Sequence, residues 1–240
     1  MFLCYPHLMY SGDADISVPA ALMGERARAA LVVALTEVDA LAASELARLA
    51  GVSNATASVH LAKLLEAGLL AVEPEGRHRY YRLASPEVAR AVEALAVLAP
   101  SPPVRSLREA TVGEAIRAAR TCYDHLAGRL GVALTEALLR GRLIRAANGT
   151  FELTSKGPRA FTDLGIDLTE LERSRRALMR SCMDWSERRS HLAGALGAAL
   201  TERMLRLRWI RRLPTSRAVR LTHKGETELR KRFAVYVQAR

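Results

Sequence analysis

The chain has 240 residues, half of them apolar and only 5% aromatic, which suffices for one large or two ordinary domains cored chiefly by Ala, Leu and Val. Lys and Arg number 36 against 25 Asp and Glu, and the formal charge of +11 suits a polyanionic partner bound in a salt-dependent way. Glutamates interleave with the arginines, which favours a folded protein over a basic tail, and Cys4, Cys122 and Cys182 fit neither a zinc-finger spacing nor a secreted disulfide framework, so a cytoplasmic protein is expected.

The opening MFLCYPHLMY is apolar but short, has no basic start and is followed by Asp13 and Asp15, so it reads as neither signal peptide nor membrane span, and no membrane partner is expected. Residues 1–16 are expected to be a flexible segment, on which Cys4 and His7 are too few to make a metal site. A single helix is then predicted from Pro19 to about Thr36, with Pro at its start and Leu22, Ala29, Leu31, Val32 and Leu35 to bury. Met23, Ala27, Ala30 and Ala34 give that helix a small-residue side.

From Ser44 to Leu83 the pattern is helix, turn, helix and basic hairpin. In SELARLAG, Leu46, Ala47 and Leu49 are expected to face inward, with Gly51 in the turn. Ser53 supplies a hydroxyl to cap the next helix, whose run NATASVHLAKLLEAG closes at Gly68. Ala55, Val59, Ala62 and Leu65 or Leu61 are assigned to its apolar side, while Ser53, Thr56, His60 and Lys63 recur at steps of three and four as the face for a major groove. Asn54 and Ser58 flank that face and join it as candidate DNA contacts. Leu69, Leu70 and Val72 begin a strand, EPEGRHR turns at Gly76, and YYRLA returns, so that Arg77, His78 and Arg79 sit at the tip of a wing.

The stretch ELARLAGVSNATASVHLAKLLEAGLLAVEPEGRHRYYRLA resembles the ArsR/SmtB-like family of bacterial winged-helix repressors, over roughly residues 20 to 100. The resemblance implies a homodimer on double-stranded operator DNA that leaves it when a metal or another inducer binds. It makes residues 54–67 the recognition helix, residues 77–79 the wing tip and residues 86–98 the dimerisation helix. The last of these also carries its own stripe of Val88, Ala91, Val92, Leu95 and Leu98, which an isologous partner helix would cover. The family's best-known metal sites are absent: residues 44–50 hold no cysteine pair, and Glu87 and Glu93 are the only acidic residues of the dimerisation helix, which has no histidine. No cofactor is therefore assigned.

APSPPV at 99–104 ends that helix. The expected organisation is mainly α with small β-hairpins: a winged helix-turn-helix DNA-binding and dimerisation domain over 17–99, a linker over 100–112, and two modules over 113–172 and 173–240. The modules rest on an internal repeat, HLAGRLGVALTEALLRGRLI at 125–144 against HLAGALGAALTERMLRLRWI at 191–210, continued as FELTSKG against VRLTHKG. Each copy reads as a helix interrupted or closely packed at its glycines, a second helix, a short hairpin and a further helix, which outlines a degenerate winged-helix-like module. Their expected use is to form an effector pocket rather than to touch DNA.

Cys122, Asp124 and His125 in RTCYDHLAG, with Cys182, Asp184, Trp185 and His191 in SCMDWSERRSHLAG, are the candidate effector or redox residues, expected on helices. At the repeat's offset of 66 the histidines coincide and the cysteines do not, so duplication alone gives no symmetrical Cys/His site. Packed together they would offer ligands to zinc, copper or haem iron; alternatively the cysteines fill small holes and the histidines bond to neighbouring groups. P-loop, dinucleotide fingerprint and nucleophile elbow are all missing, so no enzyme is expected. The reading is a sequence-specific homodimeric repressor released by an effector, small molecule included; the alternatives are a thiol-redox or metal/haem-responsive regulator using Cys122 and Cys182, or an architectural DNA-binding protein.

Overall fold

The computed structural model describes residues 14–36, 38, 40–75, 78–100, 106–214 and 216–237. Nearly all of the expected flexible segment, with Gly76 and Arg77 of the wing tip, lies outside the described residues. The chain divides into two compact units between Ala89 and Arg90.

The first unit opens with α1 (Ser17–Met23) and α2 (Arg26–Ala34) where one continuous helix was expected. The break follows from Glu25, which sits in extended backbone and accepts hydrogen bonds from the amides of Ala27 and Arg28, both at 2.9 Å. Its carboxylate satisfies the first free donors of α2 and so starts a new helix. Leu31, Val32 and Ala34 of α2 are buried. A short β1 (Leu41–Ala42) leads into α3 (Ala43–Ala50), which ends at Gly51 with φ of 67°, a left-handed conformation that suits glycine. Leu46 and Ala47 are buried as expected, but Leu49 is exposed.

Ser53 caps α4 (Asn54–Glu66), its Oγ accepting from the Thr56 amide at 3.1 Å. The side expected to be buried is the wrong one: Ala57, Leu61 and Leu64 are buried, Leu65 is half-buried, and Ala55, Val59 and Ala62 are exposed. Both stripes are apolar by composition, and the one holding two leucines wins because each leucine removes far more surface from water than an alanine does. β2 (Leu70–Glu75) and β3 (His78–Leu83) pair antiparallel from Leu70↔Leu83 to Glu75↔His78, and β1 adds to β3, giving the order β1-β3-β2. Pro74 lies on β2, an edge strand, where a missing amide donor is tolerated. This is a winged helix-turn-helix. The helix α5 (Pro86–Leu98) spans the division between the units and has the expected bounds. Val88 is buried, while Leu95 and Leu98 are 49% and 81% exposed.

The second unit runs twice through the order helix, hairpin, helix, hairpin, helix. The first pass is α6 (Leu107–Ala118), β4 (Arg120–Cys122), β5 (His125–Ala127), α7 (Gly128–Arg140), β6 (Ile144–Ala147), β7 (Thr150–Leu153) and α8 (Gly157–Thr162). The second is α9 (Leu168–Arg173), β8 (Arg180–Met183), β9 (Ser190–Ala193), α10 (Gly194–Arg206), β10 (Ile210–Arg212), β11 (Val219–Leu221) and α11 (His223–Phe233). From Leu107 the expected linker is helical. The HLAG segments are strands, not helices: His125–Ala127 pairs with Arg120–Cys122, and His191–Ala193 with Arg180–Cys182, before each helix starts at its glycine.

One core serves both passes. Leu130, Leu134 and Leu138 of α7 share it with Leu196, Leu200 and Met204 of α10, closed by Phe161, Trp209, Leu229 and Phe233. Backbone bonds tie the passes together, with Thr121 N donating to Arg217 O and Val219 N to Ala119 O, each at 2.9 Å. The Thr135 hydroxyl accepts from the Leu192 amide at 2.8 Å.

Candidate nucleic-acid interface and Cys/His cluster

The outward face of α4 is centred on Ala55, Val59 and Ala62. Asn54, Thr56, Ser58 and Lys63 are exposed around it, and Ser53 is exposed at the cap. Their hydrogen bonds qualify their availability. The Ser53 and Thr56 hydroxyls lie 2.8 Å apart, and the Ser58 hydroxyl donates back to Asn54 O at 2.9 Å, so each already has a local partner. His60 leans away from the outward face: its side chain is 16% exposed and its Nε2 stands 3.6 Å from Glu25 Oε2. The amides of Ala27 and Arg28 hold the Glu25 carboxyl below the usual range, so His60 faces a carboxylate rather than open solvent. Arg79 is exposed on β3; Arg77 and the side chain of His78 lie outside what is described.

In the second unit, the strand register overturns the expectation that the cysteines are unrelated by the repeat. Cys122 lies directly across from His125 in one hairpin, and Cys182 directly across from His191 in the other. The first hairpin turns through Tyr123 and Asp124, whereas the second carries 184–189 between Met183 and Ser190, and this longer turn is what displaces the cysteines in sequence. The equivalence was legible as RTCYD against RSCMD at an offset of 60. At the single offset of 66 the cysteines fall out of step.

The two hairpins bring their four side chains together. The ligand atoms of Cys122, His125, Cys182 and His191 all lie within 4.8 Å of one another. The two sulfurs are 3.8 Å apart and the two Nε2 atoms 3.2 Å apart. Gly131 of α7 and Gly197 of α10 let each helix pack closely on its own hairpin, since a Cβ on either would overlap the carbonyl of Leu126 or Leu192 in the preceding strand.

Each imidazole turns its other nitrogen to the aspartate of a hairpin turn. His125 Nδ1 is 3.1 Å from Asp124 Oδ1, and Arg176 pairs with the other oxygen of that carboxylate at 2.6 Å. His191 Nδ1 is 3.4 Å from Asp184 Oδ2, close to it but without a hydrogen bond. Asp184 is fully buried, accepts from the Gly128 and Ser186 amides at 2.7 and 3.0 Å and from the Ser186 hydroxyl at 2.7 Å, and pairs with the equally buried Arg120 at 3.0 Å. Trp185 does not join the four ligands; its ring lies 4.5 Å from the Arg120 guanidinium.

Protonation follows these contacts. Burial opposes ionisation of Asp184, but Arg120, the Ser186 hydroxyl and the Gly128 amide overcome it and bring its pKa to about 2. Burial likewise opposes charge on His125, and Asp124 with Cys182 reverses this, raising it to about 9. The contact between the sulfurs separates the thiols, lowering Cys182 and pushing Cys122 well above the ordinary value. A cavity of about 520 Å³ opens beside the cluster, reached past His125 and Cys182 and walled by Glu93 and Val97 of α5 with Met179 and Met183. Glu93 is itself buried in an ion pair with Arg217.

Residues 23–73 match the family model of a helix-turn-helix domain. The uncharacterized HTH-type transcriptional regulator YdfF of Bacillus subtilis (strain 168) is 43% identical over 223 residues, which are 93% of this chain and 99% of that protein. Among solved structures, HlyU from Vibrio cholerae N16961 is 30% identical over 34% of this chain and 87% of its own, with a TM-score of 0.32. The winged helix-turn-helix DNA-binding domain of Mb0332 from Mycobacterium bovis, a possible ArsR-family regulator, is 25% identical over 37% and 88%, with a TM-score of 0.33. No helix among the described residues is long and apolar enough to cross a membrane. The identity to YdfF runs through both units, and with the matched helix-turn-helix it means that the chain belongs to the HTH-type transcriptional regulators.

Proposed function

We propose that the protein is a cytoplasmic, homodimeric repressor that leaves its operator when an effector engages the second unit. The observation that carries the reading is the exposed α4 beside a wing on which Arg79 is also exposed, the pair of surfaces that a winged helix lays against a major groove and its flanking backbone. The dimer is supported by Leu95 and Leu98, whose exposure on α5 calls for a second copy of the same helix. Repression rather than activation is supported by the family resemblance of residues 20–100.

In this reading Thr56 and Lys63 touch the duplex beside Ala55, Val59 and Ala62, whose methyl groups suit thymine methyls. Ser53, Asn54 and Ser58 serve the backbone, with Arg77, His78 and Arg79 on the flanking phosphates. The two passes of the second unit are duplicated, degenerate winged-helix modules turned to sensing: their repeated sequence and element order support duplication, and the cavity walled by α5 supports a sensing role, because α5 continues directly from the DNA-binding unit. A shift at the cavity moves α5 and with it the spacing of the two recognition helices.

The test is anisotropy of the full chain with its own upstream DNA and with a scrambled duplex over a salt series, alongside sedimentation. A dimer that prefers its own upstream DNA is expected. Equal affinity for both duplexes would replace the repressor by an architectural DNA-binding role.

A further inference from the structure

We infer that Cys122, His125, Cys182 and His191 form a tetrahedral metal site for a zinc(II)-class ion, two ligands coming from each β-hairpin of the second unit. Metal–sulfur and metal–nitrogen bonds of about 2.3 and 2.0–2.1 Å at tetrahedral angles put the two sulfurs about 3.8 Å apart and the two nitrogens about 3.3 Å apart. The sulfurs here are 3.8 Å apart and the Nε2 atoms 3.2 Å apart.

The surrounding groups point the same way. Both Nδ1 atoms face aspartates, 3.1 Å away for His125 and 3.4 Å for His191, which leaves both Nε2 atoms directed at each other and free to act as ligands. The two Nε2 atoms, 3.2 Å apart, must share either one proton or one cation, and a metal ion between them satisfies both. This carboxylate–imidazole arrangement is the one that commonly fixes metal-bound histidine. Charge also closes: Asp124 is balanced by Arg176 and Asp184 by Arg120, leaving two thiolates to neutralise one dication. Binding releases to solvent whatever protons the four ligand atoms carry and changes no oxidation state. Four donors within 4.8 Å leave no space for a porphyrin between them, so a single ion is the group that can engage all four.

The site lies in the part of the chain that follows the winged helix and uses none of the DNA-contact residues. It is measured on free protein, so its failure leaves the DNA-binding reading standing, and failure of operator selectivity leaves the metal site standing.

The experiment is titration of reduced, metal-stripped full-length protein with cobalt(II) and then zinc(II), read by visible absorption and by metal analysis. One cobalt per chain is expected, with the intense visible bands of a tetrahedral thiolate complex, displaced by one equivalent of zinc. Cys122→Ser and Cys182→Ser should each at least halve the sulfur charge-transfer band, and the double variant should lack it. Asp124→Asn, which removes no ligand, should weaken binding about 10–100-fold. Cys4→Ser should bind as the parent does. Failure of the reduced parent to take up metal, including the case in which Cys122 and Cys182 yield only a reversible disulfide, overturns the site; so does a cobalt spectrum that persists unchanged in both cysteine variants.

Discussion

The two units place their polar side chains in opposite ways. In the first, Asn54, Thr56, Ser58 and Lys63 of α4 and Arg79 of the wing are exposed, and Thr36 is the one buried polar residue among those described. In the second, Glu93, Arg120, Thr121, His125, Thr135, Asp184, His191, Thr201 and Arg217 are all buried. Exposed polar groups contribute little to stability and remain available to a partner, whereas buried ones must be satisfied internally and hold one geometry. A surface that reads DNA therefore tolerates substitution in the fold, and a buried network that holds four ligands does not.

The largest effect is expected where that contrast is sharpest. Asp184→Ala leaves Arg120 buried without its carboxylate and removes the acceptor of the Gly128 amide. Breaking such a pair costs about 3–5 kcal/mol, read as a lowered urea midpoint for the second unit. Lys63→Ala, on the exposed face of α4, is expected to change stability by less than about 0.5 kcal/mol. Equal costs for the two would erase the distinction between the units.

The next effect tests α5, which belongs to both units. Leu95→Asp with Leu98→Asp puts charges where the proposed partner helix would bury leucines, each worth about 1.5–3 kcal/mol. A fall in dimer affinity of more than about a hundredfold is expected by sedimentation, with the monomer still folded by circular dichroism. An unaltered dimer would move the interface elsewhere.

How far the sequence alone reveals this architecture follows the same division. The helix-turn-helix and wing were legible because Gly51, Ser53 and Gly76 punctuate runs of clear period. The inward side of α4 was not, since Ala55, Val59 and Ala62 match Ala57, Leu61 and Leu64 in hydrophobic spacing and only the larger leucines decide. The split between α1 and α2 hid in Glu25, an acid that caps through its side chain and carries no signal of its own in a helical pattern. In the second unit, strands of three or four residues are too short for their alternation to outweigh the helical look of HLAG followed by a helix. The cluster was half legible: all four ligands were singled out, but their symmetry depends on a turn that differs in length between the copies.

A smaller effect is expected at the wing. Arg79→Ala should weaken binding to every duplex alike and lower the salt slope by about 0.9 for the one phosphate contact removed. A loss confined to the preferred sequence would make Arg79 a base reader and redraw the line between backbone and base contacts.

The smallest effect separates two neighbours on α4. Thr56 is exposed beside the cap, whereas His60 is mostly covered and faces Glu25. If Thr56 reads a base edge, Thr56→Ala lowers affinity for the preferred duplex by about tenfold, near the low end of a base contact, and leaves scrambled DNA untouched. His60→Ala acts through its contact with Glu25, so its expected signature is a small drop in thermal stability with the ratio of preferred to scrambled binding preserved. Anisotropy on both duplexes, with melting of each variant, distinguishes the two roles. A change in that ratio for His60→Ala and none for Thr56→Ala would mean that the helix enters the groove rotated toward the His60 side, and the outward face defined by Ala55, Val59 and Ala62 would then lie against the phosphate wall rather than the bases.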